Sequence, residues 1–273
     1  MSVFQEGYIN KVYYRYFSVE NAVANVVAIH GLGGHCIWFD NSAALFNRSN
    51  INFFSFDLPG FGQSKYEIGS ISSYNEWIDV SFDTIKKFLI DFGVRKPVFI
   101  LGHSMGTLIA LKLSEKIKAN GWVFSVPGFV GNPEMWPFSK LVLPLILKAL
   151  FSPNKLVTLP FGPEAITRNK ETQQKLKEDK LRVVSPKASL FLQVHLLTKA
   201  AMKLAEKFTE KFILLEAGKD MVCSNEAMDK FYNLVQSKDK TKKIYYNAYH
   251  DLFIEPEVSL LVDDVSLWIK SRV

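Results

Sequence analysis

Three residues carry the chemistry open to this chain. Ser104 stands in Gly102-His103-Ser104-Met105-Gly106, a G-x-S-x-G pentapeptide that holds a serine on a sharp strand-to-helix elbow. A serine hydroxyl is a weak nucleophile at neutral pH, so it needs a base within hydrogen-bond reach and a carboxylate to orient that base. Of the five histidines, His250 is the candidate base and Asp220 its orienter, because each falls just past an apolar segment that reads as a strand. Glu216 competes with Asp220, but its place is inside the strand rather than on the following loop. His30 and His35 precede the nucleophile, His103 falls on the buried side of the elbow, and His195 belongs to a helical stretch with a core or surface role. Attack on an acyl carbon would create an oxyanion. The backbone N–H groups of Met105, which opens a helix, and of Leu32, within His30-Gly31-Leu32-Gly33-Gly34-His35, are its candidate donors.

Such an elbow needs a strand running straight into a helix. Val98, Phe99, Ile100 and Leu101 form the apolar run of a strand covered on both faces, and Leu108, Ile109, Leu111, Leu113 and Ile117 then repeat at helical spacing. Upstream, alternation over 8–19 with a turn at Asn10-Lys11 predicts paired edge strands, and 23–29 predicts a buried strand ending in the glycine loop. Residues 52–56 predict another strand, closed by the tight loop 57–64. Over 73–92, Trp77, Ile78, Phe82, Ile85, Phe88 and Leu89 share one stripe of an amphipathic helix. With a further strand at 121–126, strands and helices alternate as in a parallel sheet with helices on both faces. After Pro127 the alternation stops. Helical patterns over 141–151, 170–180 and 186–208, jointed by prolines, predict a helical cap, or lid, at 127–210 inserted within a single domain spanning 1–273. Its Phe and Leu residues are expected to fill the cap's own core, some of them lining a pocket above Ser104. The sheet resumes at 212–216 and 243–246, with helices at 225–235 and 257–269. The expectation is an eight-stranded, mostly parallel sheet with the cap following its sixth strand.

Composition narrows the partners. At 48% apolar and 22% charged residues the chain is globular. Its net charge of +6 comes from scattered lysines rather than Arg-rich tracts, which argues against a nucleic-acid partner and leaves solubility or weak attraction to anionic lipid surfaces. Cys36 and Cys223 offer neither metal-ligand spacing nor a disulfide framework, so no metal is expected and a reducing compartment is. The first residues lack a basic segment followed by a long apolar core, which makes a cytoplasmic location the expectation. The apolar stretch 141–151 is too short to span a bilayer and carries Lys148.

The stretches HGLGGH (30–35), DLPGFGQS (57–64) and GHSMG (102–106), with the loops of Asp220 and His250, resemble the α/β-hydrolase superfamily and within it the monoacylglycerol lipase and lysophospholipase group. The likeness spans nearly the whole chain. It enters variable parts too: Thr167-Arg168-Asn169-Lys170 in the cap, Asp220-Met221-Val222-Cys223, and SKDKTKKIYYNAYH (237–250). It implies the α/β-hydrolase fold, whose triad follows the chain order Ser, Asp, His. It also implies a serine carboxylester hydrolase without cofactor, cleaving fatty-acyl glycerol esters through an acyl-enzyme. The acyl chain would lie under the cap and glycerol would leave near the catalytic loops. With this go a cap that touches membrane, hence a peripheral membrane association, and substrate contacts from His30, Gly31, His35, His103 and Cys223. A lysophospholipase, a short-chain carboxylesterase, a C–C bond hydrolase, a proline-iminopeptidase-like peptidase and a non-catalytic ligand-binding relative remain alternatives.

Overall fold

Adjacent phenylalanines on one strand decide where the helices lie. In a computed structural model describing residues 2–273, Phe53 stacks on Phe46 and Phe54 stacks on Phe88. Met1, the first residue of the predicted domain, lies outside the described residues. Successive strand residues point to opposite faces, so helix α1 (Asp40–Arg48) covers one side and α2 (Tyr74–Asp91) the other. Helix α9 (Val258–Lys270) packs beside α1 and presents Trp268 to Phe99, while α3 (Met105–Leu113) packs beside α2.

The strands β1 (Ser2–Ile9), β2 (Val12–Val19), β3 (Ala24–Ile29), β4 (Ile51–Phe56), β5 (Val98–His103), β6 (Gly121–Ser125), β7 (Phe212–Ala217) and β8 (Lys240–Tyr245) form one sheet in the order β1-β2-β4-β3-β5-β6-β7-β8. β1 and β2 make an antiparallel hairpin, β2 runs antiparallel to β4, and every later pairing is parallel. All six residues of β3 and of β7 are buried, the reason both read as mostly apolar runs, broken only by Asn25 and Glu216. β8 begins at Lys240 rather than at the expected 243. Its opening Lys-Thr-Lys-Lys is half-exposed edge strand, where charge discourages pairing with another chain, and so it lacks an apolar signature.

Topology fixes where a ligand can sit. From β3 the chain moves to β4 on one side and then returns past β3 to β5 on the other. The carboxyl ends of β3 and β5 therefore flank a topological switch point, the crevice where open α/β sheets bind ligands. Between β6 and β7 lie a π-helical turn (Phe138–Val142), α4 (Leu143–Phe151), α5 (Pro163–Ile166), α6 (Lys170–Glu178) and α7 (Ala188–Ala205). α8 (Asn225–Leu234) follows β7.

Candidate active site

Ser104 joins β5 to α3 with φ 53° and ψ −117°, a backbone conformation that few L-residues adopt. Close packing holds it there. A Cβ on Gly106 would stand 2.2 Å from the carbonyl oxygen of Ile29, and one on Gly102 would stand 2.5 Å from the Gly106 carbonyl oxygen. Glycine at both positions lets α3 approach β3 and β5 closely enough to force the turn. The Ser104 N–H donates to Ser125 O at 2.9 Å, and Thr107 Oγ1 ties the elbow back to Gly102 O at 2.7 Å.

The loops after β7 and β8 bring Asp220 and His250 to the same place. His250 Nε2 lies 3.0 Å from Ser104 Oγ, and Nδ1 lies 2.9 and 3.1 Å from the two oxygens of Asp220. Asp220 Oδ1 also accepts the N–H groups of Val222 and Cys223, each at 2.8 Å. A carboxylate so held fixes the imidazole proton on Nδ1 and leaves Nε2 to accept the serine proton. Ser104, Asp220 and His250 are all buried. Burial opposes charge on His250, but the charge and hydrogen bond of Asp220, with Asp251 adding to them, raise its pKa above the ordinary imidazole value. Glu216, the competing acid, stays within β7 and pairs with Lys242 at 3.1 Å.

Leu32 follows β3 across the switch point, and Met105 is the first residue of α3. Neither N–H has a protein acceptor among the described residues, and the Met105 N–H adds the positive end of a helix. The cavity above Ser104 has a volume of about 460 Å³. Gly31, Leu32, His103, Cys223 and Asp251 form part of its floor, and Trp136, Leu145, Phe161 and Phe191 of the cap part of its roof. Burial, then the charge of Asp220, push the Cys223 thiol well up, so it stays protonated. The donor atoms of Asp220, Cys223 and His250 lie within 4.8 Å of one another. With the thiol protonated and Asp220 already facing Nδ1, this set suits proton transfer better than a cation.

Two expected substrate contacts stand apart from this lining. His30 is outside the cavity lining. Its Nε2 accepts the Leu58 N–H at 3.0 Å, so the proton sits on Nδ1 and is given to Gly31 O at 2.8 Å. Burial brings its pKa down to about 4. His30 is thus a neutral brace between the loop after β3 and that after β4. His35 turns away as well, its Nε2 lying 2.7 Å from Asp179 Oδ2 of the cap, which also accepts Trp38 Nε1 at 2.9 Å. One lining surface was not anticipated: Phe191, Val194, His195, Thr198 and Lys199 share a single face of α7. Their i, i+3, i+4, i+7, i+8 spacing is visible in the sequence, but spacing does not tell a cavity wall from a core face.

Residues 20–257 match the family profile described as serine aminopeptidase, S33. A Schizosaccharomyces pombe protein assigned as a monoglyceride lipase is 30% identical over 259 residues, covering 92% of this chain and 68% of that one. The Homo sapiens monoglyceride lipase is 29% identical over 255 residues, covering 91% and 83%. Among solved structures, a soluble variant of the Saccharomyces cerevisiae monoglyceride lipase in complex with a substrate analog superposes with a TM-score of 0.85 at 20% identity, over 100% of this chain and 96% of that one. The Paleococcus ferrophilus monoacylglycerol lipase gives 0.82 at 24% identity, over 96% and 99%. Those two likenesses speak for the fold. With the profile covering most of the sequence, the chain belongs to the serine aminopeptidase S33 family of α/β-hydrolases, in the monoacylglycerol lipase group.

Proposed function

We propose that the protein hydrolyses fatty-acyl monoesters of glycerol, with Ser104 as nucleophile, His250 as general base and then acid, and Asp220 as its orienter. The observation that carries this reading is the unbroken hydrogen-bonded line from Ser104 Oγ through His250 to Asp220 beneath a largely apolar cavity. His250 Nε2 takes the Ser104 proton as Oγ attacks the ester carbon. The Leu32 and Met105 N–H groups receive the oxyanion, and the imidazolium returns its proton to the departing glycerol oxygen. Water, activated by the same nitrogen, then releases the fatty acid. An aminopeptidase reading would need a free carboxylate for the substrate ammonium. Among the described residues Asp251 alone lines the cavity with one, and it is committed to Phe253 and His103.

Docking on a lipid surface belongs to this reading. Leu143, Leu147, Leu150 and Phe151 lie exposed on α4, with Lys148 on the same helix. Among the described residues no helix is long and apolar enough to cross a membrane.

An alkyl fluorophosphonate is expected to add once, on Ser104, in an intact-mass spectrum, and Ser104→Ala is expected to abolish both the adduct and about 10⁴-fold or more of the rate. A folded protein without an adduct would sink the assignment. For substrate class, kcat/KM along a series of acyl esters should rise about fourfold per added methylene while the chain fills the cavity, from about 0.8 kcal/mol per buried CH₂. A flat response from butyrate to laurate would point to a short-chain esterase instead.

A further inference from the structure

His250 faces a second carboxylate that the steps above leave unused. Asp251, the next residue, is buried and lines the cavity beside it. Its Oδ1 accepts the Phe253 N–H at 3.0 Å, and its Oδ2 lies 3.5 Å from His103 Nε2. The His103 ring in turn sits 5.3 Å from the His250 ring, centroid to centroid. From the cap side, Ile166 O receives the Asp251 N–H at 2.8 Å and fixes the backbone there.

A buried carboxylate is costly without a cation to answer it, and the neighbours supply none at rest. Burial, then the neighbouring imidazoles of His250 and His30, which disfavour a further proton there, hold His103 well below the ordinary imidazole pKa, so it is neutral. Glu255, in the loop that follows, repels Asp251 and is itself occupied by Arg168 of the cap. Asp220 and Cys223, from the loop after β7, face His250 rather than Asp251. Burial accordingly pushes the Asp251 carboxyl up to about 6, with the charge of His250 pulling against it. Among the described residues, the positive charge that acts on it is the imidazolium that forms on His250 as Ser104 attacks.

We propose that Asp251 is a positioning residue for the acyl-transfer step, a second carboxylate that, across the neutral His103 ring, stabilises the positive charge His250 acquires in the transition state. The inference rests on His250 being the general base, and it is tested in enzyme whose Ser104 still takes the fluorophosphonate, so that the two readings fail separately.

The experiment is the pH profile of kcat and KM for a soluble aryl ester with Asp251→Asn, which keeps the shape and removes the charge. Expected are a fall in kcat of about tenfold with KM within about twofold. The acid limb of kcat/KM should move to lower pH by about half a unit or more, because His250 loses a neighbour that favours its protonated form. Asp251→Glu should recover most of kcat. An acid limb that stays in place, or a loss confined to KM, would overturn the proposal. Should Asp251→Asn not fold, Asp251→Ser is assayed with added formate. Saturable recovery of kcat supports a role for the charge, and no recovery on folded protein excludes it.

Discussion

The cap is held to the sheet in two unlike ways. The half running from α5 through α6 to residue 187 is pinned by polar groups. Thr167 Oγ1 donates to Ile254 O at 3.2 Å, and Arg168 gives Glu255 its backbone N–H at 2.7 Å and its Nε at 2.9 Å. Asp179 receives His35 and Trp38, the Val183 N–H meets Gly33 O at 3.0 Å, and the Lys187 N–H meets Gly69 O at 2.8 Å. The other half, α4, packs on α7 through Leu145 and Ala149 while Leu143, Leu147, Leu150 and Phe151 face outward. The pinned half grips the two loops on which the proposed chemistry relies, the proposed oxyanion loop through Gly33 and His35 and the proposed base loop through residues 251–257. The apolar half roofs the cavity with Leu145 and Ile146, where a few tenths of an ångström matter less. Directional bonds stand where position is critical, and dispersion contacts stand where enclosure is enough.

Arg168 is where that contrast breaks most expensively. Its guanidinium reaches both Glu255, whose side chain is 1% exposed, and Glu257. Arg168→Met leaves the Glu255 carboxylate buried with a backbone N–H as its remaining donor. Removing one partner of a fully buried pair costs about 3–5 kcal/mol. Because Arg168 is partly exposed, about 2–3 kcal/mol is expected here, seen as a melting temperature lower by about 5–8 °C. Since Glu255 lies five residues beyond His250, kcat for a soluble ester should fall with it. An unchanged melt would show that the base loop does not depend on the cap.

Asp179 gives a smaller, pH-dependent effect. Burial works against its charge, but hydrogen bonds from His35 and Trp38 outweigh this and hold its carboxyl at about 2. A depressed carboxylate pKa contributes stability that is present above the unfolded value near 4 and is lost as pH falls through the folded one. Allowing for partial solvent screening, the contribution is about 1 kcal/mol. Asp179→Asn should therefore melt lower than wild type at pH 7, with the gap closing as pH drops from 4 towards 2. A gap independent of pH would mean that packing of Trp38, rather than charge, holds this corner.

The same division explains what was readable in the sequence. Ser104 and Asp220 stood out because each follows a strand with a strong apolar pattern, and His250 because it follows the short Ile244-Tyr245 end of the next one. Residue type alone did not show what His30 and His35 bond to, since their partners, Leu58 and Asp179, come from distant segments that no local pattern links to them. The polar pins of the cap were illegible for that reason. The opening of β8 was hidden by lysines that serve an edge strand, and the α7 lining by a periodicity shared with any buried helix face.

Least costly to stability, and sharpest as a test of the apolar half, is Leu147→Glu with Leu150→Glu. These positions share the outward stripe of α4 with Leu143 and Phe151, so replacing them removes little packed area and should change stability by no more than about 0.5 kcal/mol each. Turnover of a soluble aryl ester, which reaches the cavity from water, should be unaltered. Binding to vesicles containing anionic phospholipid should weaken steeply, because the variant loses buried apolar area and gains charge repelled by the surface. Lys148→Ala in the same helix should weaken it less, by about 1 kcal/mol. If the double variant sediments with vesicles as wild type does, α4 is a roof over the cavity and nothing more. If it fails on vesicles and on the soluble ester together, then the outward stripe supports the cavity from behind, and the separation between the two halves of the cap is lost.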